Sequence, residues 1–155
     1  MKINEYKTVL DSDGRAILKV REKVEIDGRK AFNNPALMAD FFSNSVGIGN
    51  CAEEYVYVGC FNAKMRLIGC FEASHGSVNA SMFPVREILQ KSLLIGAVYI
   101  AISHNHPSGD ISPSNEDIAA TKRIKEAANI VCVPVVDHVI VSGSHYYSFA
   151  ENGTL

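Results

Sequence analysis

The stretch SHNHPSGDISPSNED, residues 103–117, carries the strongest chemical signal in this chain. Side chains alternate along an extended segment, so His104 and His106 point to the same side while Asn105 points away. Two imidazoles on one side of a strand offer two nitrogen ligands to a single metal ion. The pair alone does not define a metal site, because exposed or hydrogen-bonded histidines are commoner than ligands.

A third ligand is needed, because a catalytic zinc takes three protein ligands and keeps its fourth position for water. Asp117 is the candidate. The loop PSGDISP can reverse the chain, and a helix that begins near Ser114 would aim its first turn back at the histidines. The alternative is an ordinary helix start, with Ser114 as N-cap and acids favoured in the first turn by the helix dipole. That alternative accounts for Ser114 and Asp117 without a metal, but not for the two histidines.

The elements that must position these residues follow from the hydrophobic pattern. AVYIAIS predicts a buried central strand that ends at the histidines, and SNEDIAATKRIKEAANI predicts the helix after the loop. Other stretches predict a charged hairpin at 5–28 closed by Asp27 and Gly28, a second hairpin at 54–74, helices opening at Pro35 and Pro84, and closing strands in VCVPVVDHVIVSG and HYYSFA. The predicted architecture is a mixed sheet flanked by helices, in α/β or α+β form.

Composition narrows the function classes. The chain has 155 residues, of which 47% are hydrophobic and 21% charged, and this predicts a soluble globular protein with one core. Fifteen basic against seventeen acidic residues leave a formal charge of -2, which disfavours binding to a phosphate backbone. The N-terminal residues lack the apolar region of a signal peptide, and no apolar run approaches membrane length, so we predict a cytoplasmic protein.

The four cysteines include no C-x-x-C pair. Cys60, Cys70 and Cys132 lie in apolar runs that predict buried strands. We interpret the cysteines as small hydrophobic residues in a reducing compartment rather than as a disulfide or a thiolate zinc site.

The motif H-x-H-x(7)-S-x-x-D is matched by His104, His106, Ser114 and Asp117. In this motif the chain resembles the JAB1/MPN/Mov34 (JAMM) metalloproteases. The stretches HNHPSGDISPSNED, PVREIL, DHVIVSG and YYSFAENG are similar to the RadC family of bacterial JAB-domain proteins, historically labelled DNA repair proteins, over roughly residues 34–151. The resemblance implies a JAB/MPN (cytidine-deaminase-like) fold over residues 34–155, preceded by an N-terminal hairpin extension at 1–33.

The resemblance also implies a role for each matched residue. His104, His106 and Asp117 would hold one Zn²⁺ per chain, which lowers the pKa of its bound water to near 7. Ser114 would donate a hydrogen bond to the developing oxyanion. A general base is still required, and in JAMM proteases it is a glutamate at the start of an early strand.

Glu54, followed directly by an aromatic residue, matches the position of that base. Glu53 should point to the opposite side if the strand begins there, and it is the alternative base and the control. Glu87 matches a recurring RadC-family position, but its place within a predicted helix indicates a solvated side chain. His138 matches another such position, either as a hydrogen-bonded core residue or as support for the metal site.

Longer RadC proteins carry a DNA-contacting helix-hairpin-helix region before the JAB domain, and residues 1–33 are too short for it. The sequence does not choose among three roles for the hairpin there: a lid, an oligomer contact or an extra sheet edge. From the three ligands, the oxyanion donor and the candidate base, we expect a JAMM-type zinc hydrolase that cleaves a peptide or isopeptide bond. The sequence does not identify its substrate. The alternative is a non-catalytic JAB-fold module that acts in DNA repair, other DNA transactions or protein assembly.

Overall fold

The computed structural model describes residues 1–26, 31–76 and 83–155. Its strands are β1 (Lys2–Leu10), β2 (Ala16–Glu25), β3 (Glu54–Phe61), β4 (Leu67–Gly76), β5 (Tyr99–Asn105), β6 (Val135–Ser142) and β7 (His145–Ser148). Its α-helices are α1 (Pro35–Asp40), α2 (Val85–Ile95) and α3 (Asn115–Ile130). A π-helical turn, Phe41–Val46, continues α1, and a short 3₁₀ turn, Ile48–Asn50, precedes β3.

The seven strands form one mixed sheet in the order β2-β1-β4-β3-β5-β6-β7. Most neighbours are antiparallel, whereas β1 runs parallel to β4 and β5 runs parallel to β6. The parallel β5–β6 pair is connected through α3, because two parallel strands need a long crossover from the end of one to the start of the other. The predicted mixed sheet with flanking helices is confirmed.

Helices cover both faces of this sheet. On one face, Ile88 of α2 and Ile124 of α3 are fully buried against Val58 and Ile102 of the central strands. On the other face, α1 and its π-helical continuation pack Phe42 against the sheet. Burial on both sides explains why β3 and β5 are continuous apolar runs rather than alternating ones.

The predicted N-terminal hairpin is confirmed as strands β1 and β2. At its turn, the Asp11 carboxylate accepts from the backbone N–H groups of Asp13 and Arg15, both at 2.9 Å, and Gly14 takes a φ of 76° that favours glycine. β1 pairs with β4, so the hairpin extends the edge of the main sheet. The closing residues Asp27 and Gly28 lie outside the described residues.

The buried-strand prediction holds for two of the three cysteines. Cys60 and Cys70 are fully buried in β3 and β4, and burial raises the pKa of the Cys60 thiol to about 12. The prediction for Cys132 is wrong: this residue is exposed, with a φ of 58°, in the tight turn that joins α3 to β6. Helix α3 runs to Ile130, so the apolar letters around Cys132 belong to a reversal and not to a strand.

Candidate metal centre

The two histidines lie where β5 leaves the sheet. His104 is the penultimate residue of β5 and is 2% exposed, on the face covered by α2 and α3. His106 follows the strand, and its backbone N–H still donates to the carbonyl of Val141 at 3.1 Å. The chain therefore stays extended from His104 to His106, which points both rings to one side as predicted.

The start of α3 contains a capping box. Ser114 is the N-cap, and its hydroxyl accepts from the N–H of Asp117 at 3.1 Å while Asp117 Oδ2 accepts from the N–H of Ser114 at 2.8 Å. The Ser114 hydroxyl in turn donates to the same Oδ2 at 2.7 Å. This arrangement is the helix start predicted as the alternative reading, and it fixes the orientation of the carboxylate.

The same helix start also brings Asp117 to the histidines. Nε2 of His104 lies 2.9 Å from Nε2 of His106 and 3.2 Å from Asp117 Oδ1, and Nε2 of His106 lies 3.5 Å from Asp117 Oδ2. The ligand atoms of the three residues all lie within 4.8 Å of one another. The helix cap and the metal-type cluster are therefore one structure and not competing alternatives.

The hydrogen bond behind His106 shows which of its nitrogens faces the cluster. Its Nδ1 lies 2.6 Å from the backbone carbonyl of Asp110, which has no hydrogen to donate, so Nδ1 carries the proton. Nε2 then presents its lone pair toward His104 and Asp117. Lone pairs and a carboxylate at these distances require a positive charge among them, supplied by a proton or a metal cation. Two imidazole nitrogens and one carboxylate oxygen are a donor set that suits Zn²⁺.

The pKa values of His106 and Asp117 are shifted by their contacts within the cluster. When His106 takes up a second proton, at Nε2, the carboxylate of Asp117 accepts a hydrogen bond from it, and this raises the pKa of the ring above its usual value against the opposing effect of burial. Burial alone would raise the pKa of Asp117, but contacts with His104, His106 and Ser114 outweigh it and hold the pKa well below its usual range. Asp117 is thus ionised at neutral pH, as a metal ligand must be.

Glu54 begins β3 on the same side of the sheet as the histidines. Val56 is the antiparallel partner of His104, and Glu54 lies two residues before Val56, so the side chains share a face. The carboxylate of Glu54 also contributes to the raised pKa of His106. Glu54 is half-buried, whereas Glu53 is exposed and precedes the strand.

The structure also locates the remaining candidates. Glu87 is exposed in the first turn of α2, with Arg86 at 3.9 Å. His138 of β6 is fully buried, and burial holds its pKa well below the usual value. Its Nε2 lies 2.8 Å from Nδ1 of His104, so His138 is both a core residue and a direct partner of the cluster.

Three residues whose side chains support the metal-type cluster or the strand beside it were not identified from the sequence. Thr121 lies 2.6 Å from His138 Nδ1, and its position four residues after Asp117, on the same face of α3, could have indicated it. Phe83 packs against His104 with the two rings perpendicular and their centroids 5.5 Å apart, and no motif marks it. Asn105 was predicted to point away from the metal, but its partners were not foreseen.

Asn105 fixes the segment that carries Glu54. Its buried amide oxygen accepts from the N–H of Tyr55 at 2.7 Å. Its amide nitrogen donates to the carbonyls of Glu53, at 2.9 Å, and Cys51, at 3.3 Å. The residue between the two histidines therefore sets where β3 begins.

The fold and the site together define a mixed α/β domain of the JAB/MPN type with a His-His-Asp cluster at a strand–helix junction. The chain belongs to the RadC-like JAB domain family, whose model matches residues 32–154. It is 38% identical over 124 residues to a UPF0758 protein of Pelobacter propionicus, covering 80% of this chain and 53% of that protein. It is also 38% identical over 121 residues to a UPF0758 protein of Finegoldia magna, covering 78% and 53%.

A third relative, a UPF0758 protein of Trichlorobacter lovleyi, is 35% identical over 124 residues, again 80% of this chain and 53% of that protein. The chain thus spans about half the length of the curated relatives it matches. The name UPF0758 states no activity. Within the described residues, none of the helices combines the length and the apolar character needed to cross a bilayer.

Proposed function

We propose that this protein is a zinc-dependent hydrolase of the JAMM type that cleaves a peptide or isopeptide bond. The observation that carries the proposal is the convergence of Nε2 of His104, Nε2 of His106 and Oδ1 of Asp117. Membership in a JAB-domain family, which includes hydrolases, supports it. We further propose one zinc ion per chain.

In this proposal the three ligands would hold Zn²⁺, which when bound acidifies a water molecule and polarises the scissile carbonyl. Glu54 would accept the proton of the attacking water and deliver it to the leaving amine. Ser114 would turn its hydroxyl from Asp117 Oδ2 to the oxygen that gains charge. Asp117 would stay oriented by the backbone N–H of Ser114, which also donates to Oδ2.

The proposal is tested by metal analysis and by a matched pair of variants. Protein purified without chelator should contain about one zinc per chain, and His104→Ala should abolish it. In a screen of peptide and isopeptide substrates, Glu54→Gln should lose activity by a factor of about 10² to 10⁴ while keeping its zinc. Glu53→Gln, exposed and outside the strand, should retain activity.

Two outcomes contradict the proposal in different ways. Absence of zinc from well-folded protein would exclude the metal centre itself. A full zinc content, together with equal activity of Glu54→Gln and Glu53→Gln, would instead support the non-catalytic module acting in DNA transactions or protein assembly. A cytoplasmic location and the lack of strong DNA association stay predictions from the sequence.

A further inference from the structure

A row of buried polar groups lies behind His104, on the side away from the proposed metal. The Asp117 carbonyl oxygen lies 2.6 Å from Thr121 Oγ1, and Oγ1 lies 2.6 Å from His138 Nδ1. His138 Nε2 then lies 2.8 Å from His104 Nδ1. His138 is fully buried, and Thr121 and His104 are each 2% exposed, so solvent does not supply alternative partners.

The direction of these hydrogen bonds is set at the Asp117 end. A carbonyl oxygen has no hydrogen, so the contact at 2.6 Å requires that the Thr121 hydroxyl donate to it. The hydroxyl has one hydrogen, so it must accept from His138 Nδ1. A neutral imidazole carries one proton, so His138 Nε2 is an acceptor and receives the Nδ1 proton of His104.

This direction leaves the Nε2 lone pair of His104 facing His106 and Asp117. The opposite tautomer of His104 would put a hydrogen where the metal must bind, because a ring nitrogen that carries a hydrogen has no lone pair to share. In that tautomer, Nδ1 of His104 and Nε2 of His138 would face each other as two acceptors with no hydrogen between them. Each hydrogen bond of the row can therefore form with only one of its two atoms as the donor.

The ring of His138 is held by aromatic packing as well as by these bonds. Phe149 stacks on it with centroids 4.7 Å apart and an interplanar angle of 6°. Phe83 packs against it at an interplanar angle of 72°, with centroids 5.4 Å apart. The ring plane is therefore fixed, and only the position of its proton is left for Thr121 to determine.

We propose that Thr121 and His138 are positioning residues that select the Nδ1-protonated tautomer of His104 and so present its Nε2 to a divalent metal. The inference rests on the proposed metal centre, and it assigns to the side chain of Thr121, on helix α3, control over a ligand on strand β5. The link runs through His138 of β6, which contacts Thr121 on one side and His104 on the other.

The first test compares Thr121→Val with Thr121→Ser. Valine has nearly the same shape and lacks the hydroxyl, whereas serine keeps it. Zinc affinity, measured by competition with a chromophoric chelator, should fall by about 10-fold to 100-fold in Thr121→Val, the usual effect of removing a partner of a ligating histidine. Thr121→Ser should bind zinc close to wild type, and thermal unfolding should show that both variants fold.

The second readout is the tautomer itself, observed in the zinc-free full chain by ¹⁵N NMR of the histidine rings. Wild type and Thr121→Ser should show His138 protonated at Nδ1 and unprotonated at Nε2. Thr121→Val should shift His138 toward the Nε2-protonated form. This measurement needs no metal, so it separates failure of the positioning role from failure of the proposed zinc centre.

A second pair of variants tests His138 directly. Glutamine at this position offers an amide oxygen to His104 and an amide hydrogen to Thr121, whereas leucine offers neither. His138→Gln should therefore retain zinc better than His138→Leu; if His138→Leu does not fold, Thr121→Val decides. Zinc binding by Thr121→Val at wild-type affinity would overturn the proposal, and so would weaker binding with an unchanged His138 tautomer.

Discussion

The side chains of the tripeptide His104-Asn105-His106 point alternately to the two sides of the sheet. Its histidines lie beside Asp117 on one face, while Asn105 on the other hydrogen-bonds to backbone groups of Cys51, Glu53 and Tyr55. Alternation along a strand predicted this division of directions. The partners of Asn105 were not predictable, because they lie about fifty positions earlier in the chain and no local pattern encodes that pairing.

At the same scale, the charge of His106 leads to a prediction about pH. The carboxylate of Asp117 accepts a hydrogen bond from the protonated ring and so raises the folded pKa of His106 above the ordinary value of 6.5. The stabilisation from protonated His106 is therefore present below about pH 6.5 and is lost as pH rises through the higher folded pKa. In zinc-free protein, the unfolding free energy of wild type should exceed that of His106→Gln most at low pH, by urea unfolding from about pH 6 to about pH 9.

Zinc affinity should change in the opposite direction over the same range. The metal competes with the proton for His106, so affinity should rise as pH increases. His145→Gln, an exposed histidine on β7, serves as the control and should track wild type in both measurements. A wild-type advantage over His106→Gln that does not vary with pH would contradict the assigned role of Asp117.

At the scale of elements, the start of α3 combines two functions in one carboxylate. Oδ2 of Asp117 caps the helix through Ser114, while Oδ1 lies 3.2 Å from Nε2 of His104. The sequence offered helix cap and metal ligand as alternatives, because each explains an acid three residues after a serine. Only the fold shows that the cap is what holds the acid toward the histidines.

Two substitutions of Ser114 separate capping from chemistry. Ser114→Ala removes the cap and should lower the unfolding free energy by about 0.5–2 kcal/mol, whereas Ser114→Gly should cost only a few tenths. Both remove the hydroxyl proposed for the oxyanion. If that role is real, both should lose hydrolytic activity to a similar degree although their stabilities differ, as measured by urea unfolding beside peptide-cleavage rates. Activity that follows stability instead would assign Ser114 to the cap alone.

At the scale of the whole molecule, the elements were more predictable than their arrangement. Both hairpins, the three helices and the strand that leads to His104 follow from periodicity, Pro and Gly positions and capping residues. The sheet order does not, because β1 lies beside β4 through contacts some sixty-five positions apart, such as Glu5 with Cys70. Local pattern sets which residues are extended, and tertiary packing sets which strands meet.

The N-terminal hairpin joins the sheet through a buried acid. Glu5 of β1 is 1% exposed, with Arg21 of β2 at 3.2 Å and the hydroxyl of Tyr57 at 3.3 Å. Arg21 also binds Glu72 of β4 at 2.8 Å, so it bridges the hairpin to the main sheet. Burial, reinforced by Glu22, raises the pKa of Glu5 to about 6 despite the nearby Arg21.

The raised pKa of Glu5 means that its ionised form destabilises the fold. The penalty is absent below the ordinary pKa of 4.5 and is fully present above about pH 6. Glu5→Gln should therefore increase the unfolding free energy by about 1–2 kcal/mol near pH 8 and leave it almost unchanged near pH 4, by urea unfolding. Arg21 keeps Glu72 as a partner in this variant, so no cation is left unpaired.

Glu25→Gln is the matched control on the same hairpin. Glu25 pairs with Lys2 at 3.2 Å, but both side chains are mostly exposed, and such pairs contribute little. Its stability should therefore follow wild type at both pH values. A loss of stability in Glu5→Gln near pH 8 would mean that the Glu5–Arg21 pair holds the hairpin to the sheet, and that burial of the carboxylate is more than offset by its partners.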